Sequence, residues 1–191
     1  MAEARASYFE ANGFARDGGY DDDWVSFELG PFKLPFPNTQ GRKIALAYHD
    51  FHHIITGYGT DARSEFQISA WELGGTGRPG MPLAARIINL SGLFAGALFA
   101  PRLTFAAFLR GRRSRSLYGR DLPTLQTKRV GELRADLRGA SSGEPAAASD
   151  VIAFALMAML GLFATLGFAM VTIPLIAVFF VIGIVRPRPP G

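Results

Sequence analysis

Cysteine is absent from this 191-residue chain. That excludes a disulfide framework and any thiolate metal site. Charge is scarce too: 19% of residues are charged, against about 25% in an average soluble domain. Hydrophobic residues make up 49%, so part of the chain is not expected to face water. The N-terminal stretch MAEARASYFEANGFARDGG has no apolar run of the kind a secretory signal carries. The bulk of the chain is therefore expected to stay on the side of synthesis. The net charge is only +4, but nine Lys/Arg against three Asp/Glu fall between Arg110 and Arg138. A basic block beside apolar segments suits a cytoplasmic, anionic lipid surface. Nucleic acid is not expected as a partner, because no nucleic-acid motif accompanies the charge.

The length allows one domain with a core plus an appendage. Residues 1–40 show no sustained helical period. The acidic run Asp21–Asp23 and the proline-spaced FELGPFKLPFPNT read as extended chain with turns. Phe32, Leu34 and Phe36 alternate, as if to pack flat on a helical body. A helical domain is expected over 41–138. Asn38 or Thr39 can cap a helix over about 41–56, which Gly57 and Gly59 break. Thr60 or Asp61 can cap a second, ending at Gly74 and Gly75. Pro82 suits the first turn of a third, running to about Ala100, where Pro101 interrupts it. The apolar part of that helix, Ile87 to Ala100, is short of the roughly 20 residues a span needs and reads as buried or interfacial. Leu125, Val130, Leu133 and Leu137 give one amphipathic helix over 122–137.

Residues 139–150 are a small-residue linker, and Asp150 can cap a helix beginning after it. The next 35 positions, 151–185, carry no charge. One straight helix of that length would be about 52 Å long, against a hydrocarbon core of about 30 Å. Gly167 and Pro174 lie near its middle. Basic residues precede it, and Arg186 and Arg188 lie beyond it in the short tail 186–191. Both sets favour the cytoplasmic side. The fold class expected is therefore all-α: a helical domain carrying a metal-binding helix pair, plus a C-terminal transmembrane helical hairpin. The location expected is the inner or cytoplasmic membrane.

The chain's three histidines, His49, His52 and His53, fall within five positions in AYHDFHHIITGYG. On a helix His49 and His53 share one face, and Asp50 adjoins His49. Imidazole and carboxylate are the ligand types that hold zinc or ferrous iron. Glu65 can complete a coordination shell if the turn at Gly57–Gly59 folds two helices together. Glu72, two turns further on, is either a supporting carboxylate or an ion-paired surface residue. Two other metal patterns fail. The H-x-x-H-H box of membrane desaturases needs about eight histidines. The zinc-protease pattern H-E-x-x-H needs Glu where Asp50 stands.

His49-Asp50-Phe51-His52-His53, then eleven residues and Glu65, resembles the signature H-D-x-x-H, eleven residues, E of the coenzyme Q (ubiquinone) biosynthesis protein four family. PNTQGRKIALAYHDFHHIITGYGTD is similar to that family's lead-in, and GRPGMP with the apolar helix after it to its next helix. GRRSRSLYGRDLPTLQTKRVGELRADL is similar to its closing segment. The resemblance covers about 35–138. It implies an all-helical fold and one divalent metal, zinc or iron, on His49, Asp50, His53 and Glu65. His52 lies outside the signature and is expected to matter much less for metal and for stability. The resemblance also implies a role in ubiquinone biosynthesis on a prenylated quinone precursor, as a metal-dependent decarboxylase or hydroxylase of the head ring. The alternative is a non-catalytic membrane subunit that binds quinone or lipid and scaffolds other membrane proteins of a complex.

Overall fold

The computed structural model describes residues 1–29, 32–75, 80–137 and 145–185, with the backbone alone described where 27–36 and 179–185 fall within these ranges. Among the described residues there are eight helices and one two-stranded hairpin: α1 (Ala2–Ala11), β1 (Trp24–Leu29), β2 (Phe32–Pro37), α2 (Gln40–Thr56), α3 (Ala62–Gly74), α4 (Leu83–Phe99), α5 (Pro101–Arg112), α6 (Leu122–Thr127), α7 (Val130–Leu137) and α8 (Ala148–Val185). The all-helical class holds.

Local chemistry sets the ends of the central helices. The Thr39 hydroxyl accepts the Arg42 N–H, so Thr39 caps α2, and the chain leaves α2 through Gly57 at φ 78°, a conformation that favours glycine. Asp61 caps α3 by accepting the N–H groups of Arg63 and Ser64. Pro101 occupies the first turn of α5, where its missing N–H costs nothing.

Residues 1–40 are not simply extended. α1 lacks an apolar stripe, which is why its sequence gives no period, and Phe9 is the one residue it buries. Long-range contacts hold it: the Met1 ammonium donates to the Lys128 carbonyl, and the Tyr8 ring stacks on His53. The alternation at Phe32–Phe36 belongs to β2, which pairs antiparallel with β1 from Trp24 opposite Pro37 to Leu29 opposite Phe32. The expected helix over 122–137 is two helices, broken at Lys128, whose carbonyl meets the Met1 ammonium.

The core lies between α2, α3, α4 and α5, with Phe51, Ile68, Trp71, Leu93 and Phe108 fully buried in it. Glycines let backbones touch. A Cβ on Gly111 would lie 2.1 Å from the Trp71 carbonyl oxygen, and one on Gly74 would lie 2.3 Å from that of Phe108. At the other end, a Cβ on Gly96 would lie 2.5 Å from Thr104 Oγ1 and 2.7 Å from Phe66 Cβ. These contacts set α4 antiparallel to both α3 and α5, which run side by side in one direction.

The expected hairpin over 151–185 is not formed. α8 is one unbroken helix through Gly167 and Pro174. Its surplus length docks on the body instead of turning. Asp150 pairs with Arg112 at 2.6 Å, and the Phe154 ring meets Phe105 and Phe108. Gly161 lies so close to α4 that a Cβ would sit 2.2 Å from the Leu90 carbonyl oxygen. By length and composition α8 can cross a membrane, and 6% of its most apolar stretch is buried, so it is not a core helix. Asp150 accepts the Ala147 N–H at its start. The linker's first part and the tail 186–191 lie outside the described residues.

Several arginines of the basic block also brace the fold. Arg110 donates to the Thr56 carbonyl, Arg113 to that of Pro145, and Arg134 to those of Ile54 and Ile55.

Candidate metal centre

Two residues four apart on α2 and one near the start of α3 converge. His49 Nε2 and His53 Nε2 stand 3.0 Å apart. Glu65 Oε2 lies 3.4 Å from the first, and Glu65 Oε1 lies 3.5 Å from the second. Ligands about 2.1 Å from one small divalent cation stand roughly 3.0 Å apart in octahedral geometry and 3.4 Å in tetrahedral geometry. The triangle fits either arrangement, and this group could hold a metal ion.

The hydrogen bonds behind the triangle decide which imidazole atoms are available. His53 Nδ1 is 3.2 Å from the Tyr58 carbonyl oxygen. A carbonyl only accepts, so Nδ1 carries the proton and Nε2 keeps its lone pair. His49 Nδ1 is 3.1 Å from Glu72 Oε1, so it too donates and leaves Nε2 for a ligand. Two nitrogen lone pairs cannot face each other at 3.0 Å without positive charge between them. A metal supplies it, and so does a proton. With the proton there, His49 is an imidazolium. Burial opposes that charge, but Glu72 and Glu65 outweigh it and push the His49 pKa up to about 10. His53 moves the other way, lowered by burial and by the charge on His49.

Metal therefore has to displace a proton. Binding is expected to release about one proton per ion near neutral pH and to tighten about tenfold per pH unit while His49 remains protonated. Calorimetric titration in buffers of different ionisation enthalpy measures this. An apparent affinity that does not change with pH would refute it.

Glu72 is the organiser, and it is fully buried. The surface reading of Glu72 is thereby overturned. Its Oε1 accepts from His49 Nδ1 and, at 2.7 Å, from His52 Nδ1. Its Oε2 accepts from the Tyr118 hydroxyl at 2.7 Å and from the Asn89 amide. Burial alone would raise the carboxyl pKa, but His49 and His52 hold it well below the usual carboxylate range. A carboxylate that orients a ligating imidazole is the usual support of a metal site.

Asp50 is placed differently from the other expected ligands. It is buried, its Oδ2 accepts from the Tyr20 hydroxyl, and it is not among the donor atoms that converge within 4.8 Å. Burial raises its pKa, with the Tyr20 hydrogen bond acting against that. His52 is also outside the triangle. Its Nδ1 serves Glu72 and its Nε2 accepts the Leu117 N–H at 3.2 Å. A fully buried side chain with both nitrogens engaged costs stability when removed, so the expectation that His52 matters little for stability is corrected.

Three partners were missed from the sequence: Asn89, Tyr118 and Tyr20. Asn89 carried a signal, since it is the lone amide within the apolar helix α4, and a buried amide needs a partner. No protein-family model, curated protein or solved structure matches the chain.

Proposed function

We propose that the chain is a membrane-anchored, metal-dependent protein of ubiquinone or related prenyl-quinone biosynthesis, acting on the head ring of a prenylated precursor. The convergence of His49 Nε2, His53 Nε2 and the Glu65 carboxylate carries the metal part of this reading. The match of His49, Asp50, His53 and Glu65 to the ubiquinone-biosynthesis signature supports the pathway. The length and apolarity of α8 support the anchor, with the bulk of the chain on the cytoplasmic side.

His49, His53 and Glu65 would hold the metal, zinc or non-haem iron. When bound, it would polarise a ring oxygen or activate water or dioxygen. Glu72 keeps His49 in the ligating tautomer, and the Tyr58 carbonyl does the same for His53. Asp50, coupled electrostatically to His49 and Glu65, is a group that could take a substrate proton. Replacing the ring carboxyl by hydroxyl releases carbon dioxide and needs a two-electron oxidant. Replacing it by hydrogen needs only a proton.

Lipid extracts of cells lacking the chain test the proposal. They are expected to accumulate a prenylated ring that still carries its carboxyl group and to lose the finished quinone. An unchanged quinone profile would remove the pathway assignment. Full rescue by His53→Ala would favour the scaffold over the enzyme.

A further inference from the structure

We propose that the corner between α4 and α5 seats on the bilayer surface, with Leu98, Phe99 and Leu103 among the acyl chains and Arg102 against lipid phosphate. The seat holds the His49–His53–Glu65 group at headgroup level. The inference rests on the reading of α8 as a membrane anchor.

The directions of the helices carry it. Gly96 meets both Phe66 and Thr104, so the end of α4, the beginning of α5 and the beginning of α3 lie together. Glu65 precedes Phe66, which puts the metal group at that end as well. Asp150 pairs with Arg112 at the opposite end of α5, and Gly161 packs against Leu90 and Phe94. α8 therefore runs along α4 toward the corner and leaves the body there. Among the described side chains, none after Gly161 on α8 is buried.

Lengths agree with the directions. At 1.5 Å per residue, Phe99 lies level with about residue 168 of α8. From there to Val185 the helix has about 26 Å left, close to the roughly 30 Å of a hydrocarbon core. The membrane boundary then falls at the corner. Phe99 is 77% exposed and Leu98 61%, with Leu103 and Arg102 exposed beside them. Single exposed apolar residues are ordinary. Three within six positions, where an apolar helix leaves the body, suit lipid, and one arginine among them suits the phosphate level. Toward the far end of α4, Leu83, Ile87 and Ile88 are exposed as well, but α8 begins at that end, with Asp150 on Arg112, and does not leave the body there. A substrate drawn from the bilayer, with an apolar tail and a metal-binding head, would meet the site without leaving the membrane surface.

The absence of cysteine makes the test direct. Phe99→Cys, Leu83→Cys and Leu175→Cys, each in the full chain, are labelled with a polarity-sensitive fluorophore. They are placed in bilayer discs of mixed anionic and zwitterionic lipid carrying brominated acyl chains. Leu175 is expected to be quenched by bromine deep in the chains, and Phe99 at least twofold by bromine near the glycerol. Leu83 is expected to be unquenched. If Leu175 is quenched and Phe99 behaves like Leu83 in water, the corner does not touch lipid and the proposal fails while the anchor stands. Equal quenching at Phe99 and Leu83 would mean the body lies flat, which also overturns it. No quenching at Leu175 would remove the anchor reading beneath it.

Discussion

Glu65→Gln is expected to lose nearly all bound metal and, with it, the melting shift that metal confers. The carboxylate supplies the one formal negative charge in the triangle, and the amide that replaces it is a poor ligand. Its removal should cost more than the roughly 10- to 100-fold caused by loss of a supporting partner. Metal at about a hundred times its dissociation constant stabilises a fold by about 2.7 kcal/mol, or roughly 5–10 °C for a chain of this size. A chelator should therefore lower the melting temperature of the wild type by that amount and leave Glu65→Gln unchanged. The Glu65 side chain is substantially exposed, so the variant should fold. His53→Ala should show the same metal loss with an added penalty, because the Tyr58 carbonyl and the Tyr8 ring lose their partner. His52→Ala should separate the two effects, losing stability while keeping most of the metal. Elemental analysis and melting of the purified variants decide it. Full metal in Glu65→Gln and His53→Ala would remove the site.

A larger loss of stability is expected from Glu72→Ala. Four side chains from three other parts of the chain donate to that carboxylate: His49 and His52 on α2, Asn89 on α4 and Tyr118 beyond α5. Truncation takes the shared acceptor away from four buried or half-buried donors, and breaking a buried charged pair in this way costs about 3–5 kcal/mol. Glu72→Gln keeps the shape and one acceptor oxygen, but points an amide at groups that themselves donate, so an intermediate loss is expected. Both variants should also weaken metal about 10- to 100-fold, since His49 loses the partner that fixes its tautomer. Thermal melting of the chelated proteins isolates the stability term. A Glu72→Ala protein that melts within a degree or two of the wild type would refute the central role given to this carboxylate.

The metal triangle was legible in the sequence because its geometry is local. Positions four apart on α2 share a face, and a glycine turn of a few residues can bring the next helix only to a nearby place. Asp50 was less legible. One position along a helix is about 100° around it, so adjacency to His49 does not fix a common aim, and Tyr20, thirty residues upstream, claims the carboxylate. The same limit applied to α1 and to the break at Lys128. Both depend on contacts between the first residues and the last part of the domain, which no local period records. For α8 the charge pattern argued for a hairpin, but the deciding fact was the fit of Gly161 against Leu90 on α4, a contact between segments far apart in the chain.

The glycine contacts of α3 bear on how much change its neighbours tolerate. Gly74 and Gly111 bring the backbones of α3 and α5 together at one end, and Gly96 brings α4 against both helices at the other. At each of these points a single added methyl group would meet another atom at 2.1 to 2.5 Å, so a substitution there has to push a helix aside. Glu65 and Glu72 both ride on α3, and a push on that helix is a push on the spacing between carboxylate and imidazole. Three positions that carry no chemistry of their own therefore set the dimensions of the site.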